Sequence, residues 1–156
     1  MRRWNGWGDD SHTYAVPQRA QTALAEWVGA PVPPSDAPLE QALKAVPPSR
    51  LPSASFLSFT PEDRLRHARG QSLGDWVALR SGVVGPFPDA VAFPESSDDV
   101  RALLDWAKRT QTRLIPWGGG TSVAGHVNPE RDVGPSVTVD MSRMAKLLKL
   151  DETSRL

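Results

Sequence analysis

Before residue 86 the apolar residues of the chain recur at i, i+3, i+4 and i+7, the repeat of helices with one buried face. Ala20, Leu24, Trp27 and Val28 form one such stripe, closed by Gly29 and Pro31. Leu39, Ala42, Leu43 and Val46 form a second, with Ser35 or Asp36 placed to cap it and Pro47-Pro48 to end it. In TPEDRLRHARG, Thr60 stands as a cap, Pro61 takes the first helical position, acids fill the first turn and Gly70 stops the helix. SLGDWVALRSG carries Leu73, Trp76 and Val77 on one side of a fourth helix.

From Pro86 onward the pattern alternates between strand and helix. Ala90 to Phe93 reads as a short apolar strand. A helix follows, capped by Ser96 or Ser97 and striped by Val100, Leu103, Leu104 and Ala107, and Arg113 to Pro116 is a second strand. Strand, helix and strand make a right-handed βαβ unit with its two strands parallel. SVTVDMS, with Val137 and Val139 alternating against polar neighbours, and KLLKLDETSRL predict two further strands joined by a turn near Ser142 to Ala145. The fold class expected is α+β: a helical, proline-rich arm over 1–85, then a βαβ-containing unit over 86–156 that ends on a strand, a turn and the start of another strand. Such an ending leaves an apolar edge without a partner, and the expectation is that the chain is the first part of a longer protein.

Composition sharpens this picture in three places. The chain has fifteen prolines, and seven of them cluster in Pro31 to Pro52, where one short helix between proline-rich flanks reads as an arm lying on something larger. Eighteen Lys and Arg offset eighteen Asp and Glu, so a partner recognised by charge needs a local patch. Cysteine is absent, which removes disulfides, thiolate metal sites and a cysteine nucleophile. The basic start MRRWNGWGDD is not followed by a signal-length apolar stretch, and no run of about 18 apolar residues occurs. No membrane span is expected and a cytoplasmic setting is the default, with a peroxisomal address as the alternative offered by Ser154-Arg155-Leu156.

The candidate chemistry lies in RLIPWGGGTSVAGHVNP. A loop leaving the C-terminal end of a parallel strand is where α/β folds hold ligands. Gly118, Gly119 and Gly120 allow backbone N–H groups to approach an anion closely, and Thr121 and Ser122 add hydroxyls. The alternative is a mobile turn between two strands. Known cradles do not match: a dinucleotide fingerprint from Gly118 would need glycine at Val123, and a Walker loop through Gly120 and Gly125 would need lysine at His126. GTSVA lacks the final glycine of a hydrolase elbow, and Asn128-Pro129 forbid the helix that should follow it. His12, His67 and His126 have no ligand-type partners at metal spacing; the first two read as surface or capping residues, and His126 is placed to donate to a bound phosphate. Arg2 and Arg3 beside Trp4 and Trp7 invite a nucleic-acid reading, but the tryptophans read better as pins of the arm onto the core, with Asp9 and Asp10 offsetting the basic pair. No nucleic-acid partner is expected.

PDAVAFPESSDDVRALLDWAKRTQTRLIPWGGGTSVAGHV resembles the opening of the FAD-binding domain of the vanillyl-alcohol oxidase and p-cresol methylhydroxylase family. Pro88, Val91, Pro94, Ser97, Asp99 and Val100 keep its strand-and-helix pattern, and Pro116 with Gly118 to Ser122 keeps its P-x-G-G-G-T-S loop. RRWNGWGDD, PPSRLP and EDRLRHARGQS are similar to the arm of its alkyldihydroxyacetonephosphate-synthase-like and glycolate or D-lactate-dehydrogenase-like branch. The resemblance implies FAD as cofactor, its diphosphate held by Pro116, Trp117, Gly118, Gly119, Gly120, Thr121 and Ser122. Glycine at 120, where relatives that attach flavin covalently carry histidine, implies non-covalent binding; His126 stands where many relatives have a second glycine. The family oxidises 2-hydroxy acids or alcohols, or in the ether-lipid branch supports an acyl-for-alkyl exchange. Relatives continue past LDETSRL into a substrate domain, so the small-molecule substrate is expected to meet a region outside this chain, and the chain alone is expected to be inactive. A small α/β phosphate-binding or interaction module without redox activity is the competing class.

Overall fold

A computed structural model of the chain describes residues 3–9, 11–12, 14–32 and 35–154. Its centre is a four-stranded sheet of β1 (Leu57–Ser58), β2 (Ala90–Ala92), β3 (Arg113–Trp117) and β4 (Ser136–Asp140), in the order β1-β2-β4-β3. β2, β4 and β3 run parallel, while β1 pairs antiparallel with β2. The βαβ unit therefore forms with parallel strands, but β4 enters between them: Val137 is the register partner of both Ala90 and Leu114. β4 is buried at all five positions, which suits the centre of a parallel sheet, and β3 with Pro116, a residue that cannot donate to a ladder, takes the edge.

The strand expected within KLLKLDETSRL is absent among the described residues. Residues 144–150 form no regular element, and Leu147, Leu148 and Leu150 are 74%, 88% and 64% exposed. β1 and β3 occupy the two edges and neither pairs with this segment. The turns flanking it do form: a 3-10 turn covers Met141–Arg143, and Asp151 accepts the N–H groups of Thr153 and Ser154. Arg155 and Leu156 of the terminal tripeptide lie outside the described residues, as do Pro33 and Pro34 of the proline cluster.

Among the described residues five α-helices accompany the sheet: α1 (Gln18–Val28), α2 (Leu39–Lys44), α3 (Pro61–Arg66), α4 (Leu73–Ser81) and α5 (Ser97–Thr110). Thr60 and Pro61 open α3, and Ser96 with Asp99 closes a capping box on α5. α2 begins after Pro38 without a side-chain cap, because Asp36 instead accepts from Asn5 and faces Arg80. In α5, Leu103 and Ala107 are buried, and Trp106 replaces Leu104 against the sheet. The stripe expected on α4 is turned outward: Leu73 and Val77 are exposed, and the buried positions are Asp75 and Leu79. α1 forms at its expected place but buries none of its residues.

The core divides in two. Leu57, Ala90, Ala92, Val137 and Val139 face Leu103 of α5, while Ala42, Leu65, Ala68, Leu79 and Val84 fill a second cluster among the N-terminal helices. Asp89 joins the halves. One carboxylate oxygen accepts from Arg50 N and Nε, and the other from Arg50 Nη2 at 2.7 Å and Ser136 N at 2.9 Å. The buried Arg64 adds bonds of 2.7 Å to the carbonyls of Pro88 and Pro47. These bonds fasten the proline-rich stretch onto the start of β2 and β4.

Burial raises the pKa of Asp89, but the hydrogen bonds and charge of Arg50 and the N–H of Ser136 outweigh it and hold the group below the ordinary carboxylate value. With the folded value depressed, the linked stability is fully present above the unfolded value near 4 and is lost as pH falls through the folded one. Asp89→Asn should cost about 1–3 kcal/mol at neutral pH in denaturant melts, and the loss relative to wild type should shrink on acidification.

Candidate functional site

β3 and β4 end side by side, with Trp117 opposite Asp140, and the glycine loop leaves from this C-terminal end of the sheet. A cavity of about 500 Å³ opens there, bordered by Gly118, Gly119 and Trp117 and by residues of the N-terminal segment. The three glycines are not equivalent. A Cβ on Gly118 would meet nothing within 4 Å, and one on Gly119 would meet only the Thr121 methyl at 3.6 Å. Neither residue has a positive φ. Gly120 has φ +68° and lies on the Trp117 indole, where a Cβ would come within 2.3 Å of a ring carbon. Gly120 is thus glycine for conformation and packing; at 118 and 119 no clash with the described residues demands it.

The loop is held from behind by the connection between α3 and α4. Gln71 N–H donates to the Ser122 carbonyl at 2.7 Å, and Gly70 N–H to Asn128 Oδ1 at 2.8 Å. Asn128 Nδ2 in turn donates to Asp75 Oδ1 at 2.7 Å. Gly70 approaches so closely that a Cβ there would stand 2.3 Å from the Ser122 carbonyl oxygen. Asp75 also closes the capping box of α4 with Ser72 and faces Arg69 at 3.6 Å. Burial works against its charge, but the bonds from Ser72 and Asn128 and the charge of Arg69 keep its pKa below the ordinary value. Gly70, Asp75 and Asn128 carry no signal of this kind in the sequence: Gly70 reads as a helix stop, and Asn128 with Pro129 as a bar to a following helix.

His67 is the C-cap residue of α3, but it is buried rather than on the surface. Its Nδ1 lies 2.7 Å from the Asp63 carbonyl, and its Nε2 lies 2.8 Å from Asp140 Oδ2. The ring packs against Trp117, with centroids 4.9 Å apart, and edge-on to Phe93. Arg3, Arg66 and Arg69 line the same cavity, each anchored: Arg3 on the His12 carbonyl, Arg66 on Glu62, Arg69 on the Val84 and Gly85 carbonyls.

Of the other sequence-derived site residues, Pro116 and Thr121 are exposed, and Ser122 is committed to the loop itself, its Oγ accepting the His126 N–H at 3.3 Å. The His126 side chain is exposed. Trp4 packs against the second core cluster and Trp7 lies 5.9 Å from Trp76, the pinning role expected of them; Arg2 and Asp10 lie outside the described residues. Among the described residues no cluster of three or more metal-ligating side chains occurs, and no helix is long and apolar enough to cross a membrane.

An open backbone edge beside anchored cations suits a diphosphate such as that of FAD. The family described as FAD binding domain matches residues 88–156. The chain is 34% identical over 87 residues to an alkyldihydroxyacetonephosphate synthase of Dictyostelium discoideum, covering 56% of this chain and 14% of that protein. It is 33% identical over 66 residues to the mitochondrial D-lactate dehydrogenase [cytochrome] 1 of Saccharomyces cerevisiae, covering 42% of this chain and 11% of that one. A solved alkyldihydroxyacetonephosphate synthase superposes with a TM-score of 0.73 at 26% identity, over 97% of this chain and 34% of its own. The chain thus spans about a third of the solved relative. Residues 88–156 match the FAD binding domain family, the matches indicate FAD as the cofactor, and the chain shares the fold of about a third of a solved alkyldihydroxyacetonephosphate synthase.

Proposed function

We propose that Trp117–Ser122 holds the diphosphate of FAD non-covalently, in a flavin-dependent oxidoreductase or ether-lipid synthase whose substrate is bound outside these 156 residues. The observation that carries the reading is the difference among the glycines: Gly120 is explained by Trp117, whereas Gly118 and Gly119, which border the cavity with room for a Cβ, are explained by a ligand that approaches there. The Trp117 ring also supports non-covalent binding, because a histidine side chain at position 120 would collide with it.

FAD, when bound, supplies an acceptor for an electron pair. The chain's own residues bind and orient: the glycine loop borders the cavity, Gly70 and Asn128 fix the loop's shape, and the basic side chains from the N-terminal segment make the wall attractive to an anion. No acid or base of the described residues stands free to serve a substrate here, since His67 and Asp140 are spent on each other. The broader match to alkyldihydroxyacetonephosphate synthases favours the ether-lipid side, and oxidation of a 2-hydroxy acid such as D-lactate is the second reading, supported by the dehydrogenase match.

Titration of the purified chain with FAD, followed by Trp fluorescence and flavin absorbance, should show saturable binding. No response to FAD, with a response to inorganic diphosphate, would favour the redox-free phosphate module instead. Gly118→Val or Gly119→Val should weaken FAD at least about tenfold while leaving the melting temperature unchanged. Gly120→Ala should behave in the opposite way, losing about 1–3 kcal/mol of stability in a chemical melt because the methyl meets the indole. Supplied with D-lactate, FAD and an artificial electron acceptor, the chain alone should show no turnover.

A further inference from the structure

Gly6 shares the property that sets Gly118 and Gly119 apart. Of the twelve glycines in the chain, four have no positive φ and would accept a Cβ with no contact closer than 3.6 Å: Gly6, Gly74, Gly118 and Gly119. Gly74 lies within α4. The other three border one cavity, the opening of about 500 Å³ at the end of β3 and β4. At Gly6 a Cβ would meet only Arg3 Cδ, at 3.8 Å.

The turn that carries Gly6 is held in place at several points. Arg3 N–H donates to the Gly8 carbonyl at 3.1 Å, and Gly8 takes φ +83°, a reversal that favours glycine. Asn5 is buried and donates from Nδ2 to Asp36 at 2.8 Å, and Trp4 packs on the second core cluster. Trp7 lies against Trp76, whose Nε1 donates to Gln71 Oε1 at 2.9 Å, and Gln71 N–H donates in turn to the Ser122 carbonyl. One chain of contacts therefore ties the turn to the glycine loop, and both border the cavity. Trp4, Asn5 and Trp7 account for the pinning of the segment, and none of their contacts requires glycine at position 6.

We infer that the turn Arg3–Gly8 is a second binding element of the cavity for an organic diphosphate, with Gly6 giving the ligand close approach to backbone and Arg3 adding a guanidinium. That the diphosphate is FAD's rests on the function proposed above. The site then extends beyond residues 88–156, the stretch matched by the FAD binding domain, into the N-terminal segment. A diphosphate presents acceptor oxygens in several directions, so a loop on its own leaves part of the group to water, and a guanidinium suits the remainder. Arg3 Nη2 donates to the His12 carbonyl at 3.1 Å, which holds the guanidinium at the cavity wall before a ligand arrives.

The test uses the full chain, with inorganic diphosphate and FAD as separate probes. Diphosphate added to ¹⁵N-labelled wild type should shift the backbone amides of Gly6, Gly118 and Gly119 with one common midpoint. Gly6→Val should weaken both probes about tenfold in calorimetric titrations and leave the melting temperature unchanged. Arg3→Gln should weaken both by a similar factor and reduce the salt dependence of binding. Gly74→Ala, away from the cavity, should bind like wild type. Should Gly6→Val lower the melting temperature, the wild-type amide shifts and Arg3→Gln decide. Shifts confined to Gly118 and Gly119, or full affinity in Gly6→Val while Gly118→Val is weakened, would overturn the inference and leave the FAD reading intact. Diphosphate binding that moves the three amides together, without any response to FAD, would count against the FAD reading and leave the turn as part of an anion site. A wild type that binds neither probe overturns both.

Discussion

The approach of Gly70 to the Ser122 carbonyl is the constraint on which the site depends. A loop that leaves a strand with three glycines has little stiffness of its own, since glycine loses more conformational freedom on ordering than any other residue. Here the cost is offset from outside the loop. Gln71 N–H closes on Ser122, Asn128 bridges Gly70 to Asp75, and Asp75 is in turn locked by the capping box of α4. Any side chain at position 70 would separate these segments, so the turn after α3 and the loop after β3 have a single mutual placement.

The N-terminal segment grips both ends of the sheet. At the start of β2 and β4, Asp89 takes four donors from Arg50 and Ser136, while Arg64 ties Pro47 to Pro88. At their C-terminal end, Asp140 meets His67. Buried acids occur where the two halves of the chain meet, and each is saturated with donors. An unpaired buried carboxylate would cost several kcal/mol, so these contacts have little tolerance for a change of register between the halves. Between them β1 adds a strand from the N-terminal segment to the same sheet.

Local chemistry was the legible part of this fold. Thr60-Pro61, Ser96 with Asp99, and the alternation in SVTVD each specify an element through neighbours a few residues away, and those elements form. Relations between distant segments were not legible. Nothing in Arg113–Trp117 or Ser136–Asp140 taken singly says which lies at the centre; that is decided by β4 being apolar or small enough to bury on both faces while Pro116 must lie on an edge. On α4 the apolar count pointed to Leu73 and Val77, but the side that faces inward is chosen by Asp75, whose partner Asn128 lies 53 positions away. The stretch from Lys146 to Leu150 shows the reverse case, an apolar run with no described strand beside it to make a ladder. In the candidate site, the glycines and the strand before them were visible, but His67 and Gly70 were read as the end of a helix because their partners, Asp140 and Ser122, are on the far side of the sequence.

The even charge balance of the chain conceals how its charges are placed. Eighteen basic and eighteen acidic side chains predict no field at a distance, and the glycine loop contains no lysine or arginine. Yet Arg3, Arg66, Arg69 and His67 converge on the cavity that the loop borders, all from the N-terminal segment. Each is already held by carbonyls or carboxylates of its own neighbourhood, so its position is fixed before any anion arrives. Groups ordered in advance lose little entropy on binding, and the ion pairs of Arg66 with Glu62 and of Arg69 with Asp75 spare the folded chain the repulsion of bare cations. In the proposed site the division of labour is between halves of the chain: the strand and loop supply uncharged backbone with room for a ligand to approach, and the helical segment supplies the charge and the stiffness. Neither half holds both requirements, which is why the contacts that join them matter to the site as much as the glycines do.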